Sequence, residues 1–379
     1  MKVAVLRETN PNESRVGLVP EGVKFLVKKE IQVVVEKDAG LDAGFLDAMY
    51  EAEGASIAPD AASALAGADV VAKVLPPTVS EVGILEKGHI LVCSLQPSAN
   101  LDVVRALKDA GITTMALDLM PRITRAQTMD ILSSQATVAG YKAVLLGANA
   151  IGKFLPMLTT AAGTIRPAKT LVLGAGVAGL QALATFRRLG ARMEAFDVRP
   201  VVKEQVESLG AKFLEMELSA ELEDEAGYAK ELTEDQHQKE LELIAGSIKD
   251  ADVVVTTAQI PGRKAPILIT REMVESMKPG SAIVDLASES GGNCELTKAG
   301  ETVVHNGVMV LGPVNLPASM PYHASQMFSK NLVTFVMEMV NKEDGSIHLN
   351  WENEVLDGVC LTFQNEVRHG PTKEALGAA

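Results

Sequence analysis

The stretch of this sequence best suited to chemistry is Gly174-Ala175-Gly176-Val177-Ala178-Gly179, with Asp197 eighteen residues after its last glycine. Each glycine has its own geometric reason. Gly174 permits a tight turn off a strand, Gly176 lets a diphosphate approach backbone that any Cβ would shield, and Gly179 lets a helix pack against that strand. Unpaired N–H groups along Val177 and Ala178, backed by the positive end of the helix dipole, then face the phosphates. Asp197 can accept hydrogen bonds from an adenosine ribose 2′-hydroxyl and would repel a 2′-phosphate, so the pattern favours NAD(H) over NADP(H). Arg199, beyond Val198, pulls the other way, because a guanidinium near the same place tolerates a phosphate. Taken alone, the glycine spacing also fits a packing turn, and the elements around it decide for a dinucleotide.

Those elements are a β-prone run at Thr170 to Leu173, a helical pattern through Arg188 and a second strand closing on Asp197. Strand-like runs follow at Lys212 to Leu214, Val253 to Thr257, Ala282 to Leu286 and Val308 to Leu311. In open parallel sheets ligands sit beyond the carboxyl ends of the strands, so three later turns should line the other half of the site. They are Thr256 to Gly262, which contains Ala258 and Gln259, then Asp285 to Asn293, then Gly312 to Pro317. The N-terminal third alternates short apolar runs, at Val3, Ile31, Val70, Ile90 and Thr113, with helical patterns, which implies a second parallel sheet with right-handed crossovers. It carries no glycine fingerprint. After Pro321 an apolar helix crosses back, and Ile347 to Gln364 finishes this first domain. The expected fold is α/β, with two doubly wound, Rossmann-like parallel-sheet domains. The first, 1–125 plus 321–379, is discontinuous, and the dinucleotide domain spans 126–320.

Two segments admit more than one reading. Met120 to Gln135 (MPRITRAQTMDILSSQ) opens a long helix; Thr124 with Gln127 makes a capping box and Asp130 suits the helix dipole, or else the segment is a recognition loop over a cofactor. The acid-rich stretch Glu215 to Glu242 reads as a solvated helix pair or as a loop that closes on a ligand.

Bulk properties exclude several classes. A net charge of -14 argues against nucleic acid and against an anionic membrane surface, and 47% hydrophobic with 4% aromatic residues suits layered α/β packing. Cys93, Cys294 and Cys360 are far apart and form no C-x-x-C, so buried thiols in a reducing compartment are expected and a disulfide framework or metal site is not. Met1 to Leu6 leads straight into a strand, with no secretory pattern, and the longest run without charge, Thr302 to Ser329, is broken by Pro313, Pro317 and Pro321. Direct membrane insertion is therefore not expected.

The segments MPRITRAQTMDILSSQATVAGYKAV, GAGVAGLQALATFRRLGA, DVRPVVKEQVESLGAKF, GYAKE, TTAQIPGRKAPILIT and MKPGSAIVDLASESGGN closely resemble the NAD(H)-binding subunit of proton-translocating NAD(P) transhydrogenase. The resemblance covers essentially the whole chain in the same order, and that family is in turn similar to alanine dehydrogenase. It implies that Gly174, Gly176 and Gly179 hold a pyrophosphate and Asp197 the adenosine ribose. It also implies that Arg122, Gln127 and Asp130, with Ser133 one turn on, surround the nicotinamide, and that Tyr228 belongs to a mobile loop. Implied too are NADP(H) on a partner subunit, a membrane-spanning subunit, a homodimer, and a cytoplasmic place at the inner membrane held through those partners. The match to alanine dehydrogenase is partial. Arg15 and Lys73 stand where that enzyme holds a substrate carboxylate, but Gln96 stands at its catalytic histidine and Glu289 at its later aspartate. Interconverting an amino acid and a keto acid needs a titrating group, which glutamine is not. Hydride passage between two nicotinamides needs only alignment at about 3 to 3.5 Å and exclusion of water. An alanine dehydrogenase-like amino acid dehydrogenase is the competing reading.

Overall fold

The computed structural model describes residues 1–216, 233–259, 263–341 and 344–378. The chain divides into two compact units, Met1–Gln135 with Pro317–Ala379, and Ala136–Leu316. The first crossing between them falls inside the helix α1 (Ile131–Ala150).

In unit one, six strands follow in chain order: β1 (Lys2–Val5), β2 (Gln32–Glu36), β3 (Ser56–Ala58), β4 (Val70–Ala72), β5 (Ile90–Cys93) and β6 (Thr113–Ala116). They lie side by side as β6-β5-β4-β1-β2-β3, all parallel. In unit two, a separate hairpin of β7 (Leu158–Thr160) and β8 (Gly163–Ile165) precedes a second sheet. That sheet contains β9 (Lys169–Leu173), β10 (Arg192–Phe196), β11 (Lys212–Phe213), β12 (Val253–Thr256), β13 (Ala282–Asp285), β14 (Thr302–His305) and β15 (Val308–Leu311), in the order β11-β10-β9-β12-β13-β15-β14. The chain then re-enters unit one, where β16 (Cys360–Phe363) and β17 (Glu366–Val367) extend the first sheet antiparallel beside β6. Apart from the added β14, β16 and β17, both sheets have the doubly wound order 3-2-1-4-5-6. In each the order reverses once, between β1 and β4 and between β9 and β12.

Both faces of each sheet are covered, which explains apolar runs where a one-sided sheet would alternate. Val3 and Val5 enter one core while Ala4 and Leu6 enter another; in unit two Val253 and Val255 face one layer and Val254 the opposite one. The returning helix Pro321–Glu338 contributes Phe328, Leu332, Phe335 and Val336 to the first core. That burial makes unit one discontinuous in sequence.

Several strands are not announced by the sequence. β3 is three residues long with one β-branched side chain, β7 and β8 are mostly exposed, and β14 adds antiparallel at an edge.

Candidate functional site

The glycine turn follows β9 in unit two, beside the strand-order reversal. Gly174 has φ +94°, and a Cβ there would lie 2.5 Å from Thr257 Oγ1. At Gly179 a Cβ would lie 1.9 Å from Gly174 O, so the helix that starts at Val177 can approach the strand only without a side chain. Gly176 differs. The nearest heavy atom to its would-be Cβ is Arg199 Nη2 at 4.0 Å, so the turn is open on the side where a ligand would meet the backbone. The helix Val177–Arg188 has Gly176 as its N-cap and no side-chain cap, so its leading N–H groups, including those of Val177 and Ala178, have no partner within the helix. This arrangement fits the diphosphate of a dinucleotide.

Asp197 follows β10 directly, and the turn's Gly174 N donates to Phe196 O at 2.8 Å. Its carboxylate accepts from Ala175 N at 2.7 Å and from Arg199 through N at 2.9 Å, Nε at 3.0 Å and Nη2 at 2.9 Å. Asp197 therefore shapes the glycine turn and holds Arg199, with Val198 between them. Across the reversal, Thr257 Oγ1 donates to Gly174 O at 3.0 Å, and the Gln259 amide donates to Leu286 O at 2.7 Å. The fold thus gathers Gly174, Gly176, Val177, Ala178, Gly179, Asp197, Val198, Arg199, Ala258 and Gln259 around the carboxyl ends of β9, β10 and β12. Tyr228 lies outside the described residues, as does most of the acid-rich stretch; its described end is a helix, Glu234–Ile248, capped reciprocally by Thr233 and Gln236.

Gly140, outside the glycine fingerprint, also shapes the glycine turn. A Cβ on it would lie 2.1 Å from Ala178 O, so α1 packs against the backbone that opens the dinucleotide helix. The signal was available, because a glycine inside a strong helical pattern costs about 1 kcal/mol against alanine and needs a packing reason.

In unit one the expected capping box does not form. Thr124–Met129 is a short 3-10 helix whose N-cap is Ile123, without a side-chain cap, and burial of Ala126 and Met129, three residues apart, pins it instead. Asp130 caps α1, accepting from Ser133 N at 2.9 Å and Ser133 Oγ at 2.5 Å. Arg122 and Gln127 are exposed. Neighbours hold the turn from outside: Asn331 Nδ2 donates to Thr128 O at 2.8 Å, and Arg125 pairs with Glu338.

The carboxyl end of the unit-one sheet, at its own strand reversal, is filled by the chain's own charges. Lys73 lies 3.3 Å from Glu8 and 3.4 Å from Glu81, and Arg15 contacts Glu13 at 2.6 Å and Gln135 at 2.8 Å. Burial pushes the Glu8 carboxyl up, against the opposing pull of Lys73; burial also acts to lower Lys73, but Glu8 and Glu81 outweigh it and leave Lys73 raised. Gln96 has φ +49°, and its N–H donates to Asp118 Oδ2 at 2.8 Å. Glu289 accepts from Asn315 N at 3.1 Å. Among the described residues no cluster of His, Cys, Asp and Glu could hold a metal, and no helix is long and apolar enough to cross a membrane.

Comparisons with known proteins agree along the whole length. The models for the N-terminal and C-terminal domains of alanine dehydrogenase/PNT match residues 4–139 and 143–370. The first part of NAD(P) transhydrogenase subunit alpha from Rhodospirillum rubrum is 46% identical over 376 residues, covering 97% of this chain and 98% of that protein. A crystal structure of transhydrogenase from Sinorhizobium meliloti superposes with a TM-score of 0.87 at 44% identity, covering 97% of this chain and 100% of the other. Alanine dehydrogenase of Bacillus subtilis is 29% identical, covering 100% of this chain and 95% of that protein. The chain belongs to the alanine dehydrogenase/PNT family, within its NAD(P) transhydrogenase subunit alpha group.

Proposed function

We infer that this chain binds NAD(H) and presents it for hydride exchange with NADP(H) held on a separate partner subunit, while a membrane-spanning subunit couples the exchange to proton movement. The observation that carries this reading is Gln96. Where an amino acid dehydrogenase would need a group that takes up a proton, this chain has an amide on a left-handed backbone tied to Asp118. When bound, the nicotinamide supplies or accepts the hydride. The chain's own residues position the cofactor and exclude water: the glycine turn and the N–H groups of Val177 and Ala178 hold the diphosphate, Asp197 and Arg199 with Val198 meet the adenosine ribose, and Ala258 and Gln259 meet the other half. Arg122, Gln127, Asp130 and Ser133 are assigned to aligning the ring, and Tyr228 to closing over the cofactor. The same reading takes the chain as a homodimer, placed in the cytoplasm against the inner membrane by its partners. Exposed Phe154, Met157 and Ile165 around the β7–β8 hairpin offer an apolar surface of the kind a second copy covers.

Gln127→Asn tests the alignment role. With the partner subunit present, we expect hydride transfer to slow at least about tenfold while NADH affinity stays within about twofold. Equal losses in stability, binding and rate would instead make Gln127 a structural residue of the 3-10 turn.

A further inference from the structure

The Thr257–Gln259 turn flanks the strand reversal, and two buried side chains beneath it have no role in the reading above. Asp285, at the end of β13, is fully buried and bonds to no cation among the described residues. Its carboxylate instead accepts from Thr256 Oγ1 at 2.9 Å, Ala287 N at 2.9 Å, Asn293 N at 2.7 Å, Cys294 N at 3.1 Å and Thr297 Oγ1 at 2.6 Å. The chain wraps the carboxylate through Gly291 and Gly292, at φ +101° and +83°, and a Cβ on Gly292 would lie 2.9 Å from Asp285 Oδ2. That turn delivers Asn293, itself 0% exposed, under Ala258. The Asn293 amide accepts from Ala258 N at 3.1 Å and donates to Ala258 O at 2.9 Å and Pro266 O at 2.8 Å. Both main-chain groups of Ala258 are thus taken by one side chain. The amide orientation is fixed, because the reverse would set its oxygen against two carbonyls.

We propose that Asn293 is a positioning residue that sets the Ala258–Gln259 turn against the nicotinamide-side ribose of a bound dinucleotide, with Asp285 holding Asn293 in place. This rests on the dinucleotide reading and adds to it. The two buried groups tie the turn after β12 to the loop after β13, so the far half of the site is built as one piece. The near half, the glycine turn with Asp197, is shaped by the Asp197 bonds to Ala175 and Arg199 and meets the far half through Thr257, not through Asn293. Loss of Asn293 should therefore be felt selectively.

Asn293→Asp keeps the volume but removes both amide donors and faces a carboxylate oxygen to Ala258 O and Pro266 O. Titrations on the full chain compare NADH with ADP, which reaches the glycine turn and Asp197 but has no nicotinamide ribose. We expect NADH to weaken at least about tenfold and ADP to change by less than about twofold. Thr256→Val, which removes one donor to Asp285 at nearly constant volume, should show the same selective loss to a smaller degree, and it decides the matter if Asn293→Asp does not fold. Equal weakening of both ligands, or no change in either, overturns the proposal while leaving the dinucleotide reading intact. A wild-type chain that binds neither NADH nor ADP overturns both.

Discussion

At Asp197 one carboxylate serves two neighbours, the Ala175 N–H of the glycine turn and the Arg199 guanidinium. In the proposed function a ribose hydroxyl joins or replaces one of the Arg199 contacts on this carboxylate. Asp197→Asn should then weaken NADH binding by about 1 to 3 kcal/mol in a calorimetric titration, the cost of losing a hydrogen bond to a charged group. Unchanged affinity would place the ribose elsewhere. The thiols give a prediction of a different kind. Burial pushes Cys294 up to about 11 and Cys360 up to about 12, from an ordinary value of 9.0. The folded state keeps these protons where the unfolded state loses them, so their contribution is intact below pH 9 and declines as pH rises through 9 towards 11 to 12. Denaturant midpoints measured across that range should fall more gently for Cys360→Ala than for the parent chain; parallel slopes would rule the thiol out as a cause.

Among elements, the strand, glycine turn and helix at Lys169–Arg188 were legible because local chemistry and packing agree there. Each glycine is needed where it stands, and Gly179 is the clearest case. Gly179→Ala should destabilise unit two by about 1 to 3 kcal/mol, since a Cβ 1.9 Å from Gly174 O forces the helix off the strand. Urea unfolding checks this, and a midpoint equal to the parent's would mean the helix has room to move. Less was legible wherever tertiary burial overrides local preference. Thr124 and Gln127 have the spacing of a capping box, but Ala126 and Met129 are buried and wind the segment as a 3-10 turn, which leaves Asp130 as the cap. β3 and β14 are too short or too marginal to announce themselves, and pair because a neighbouring strand is already in place. Gly140 and Asn293 act across distances of many residues, on Ala178 and Ala258; the helical pattern marks Gly140 as needing a packing reason, but no local pattern names either partner.

In the whole molecule, one strand order is used twice with opposite outcomes at the reversal. In unit two the crevice beside β9 has an open glycine turn and N–H groups without a partner in their helix. In unit one the equivalent position holds Lys73 with Glu8 and Glu81 and is spanned by the chain's own ion pairs. That contrast, together with Gln96, which cannot shuttle a proton, favours hydride exchange with a partner subunit as the proposed function. The most direct test incubates the purified chain with NADH under two conditions: with pyruvate and ammonia, and with NADP+ and an NADP(H)-binding transhydrogenase subunit. NADH oxidation is expected in the second mixture only. Alanine formed from pyruvate by the chain alone would contradict it.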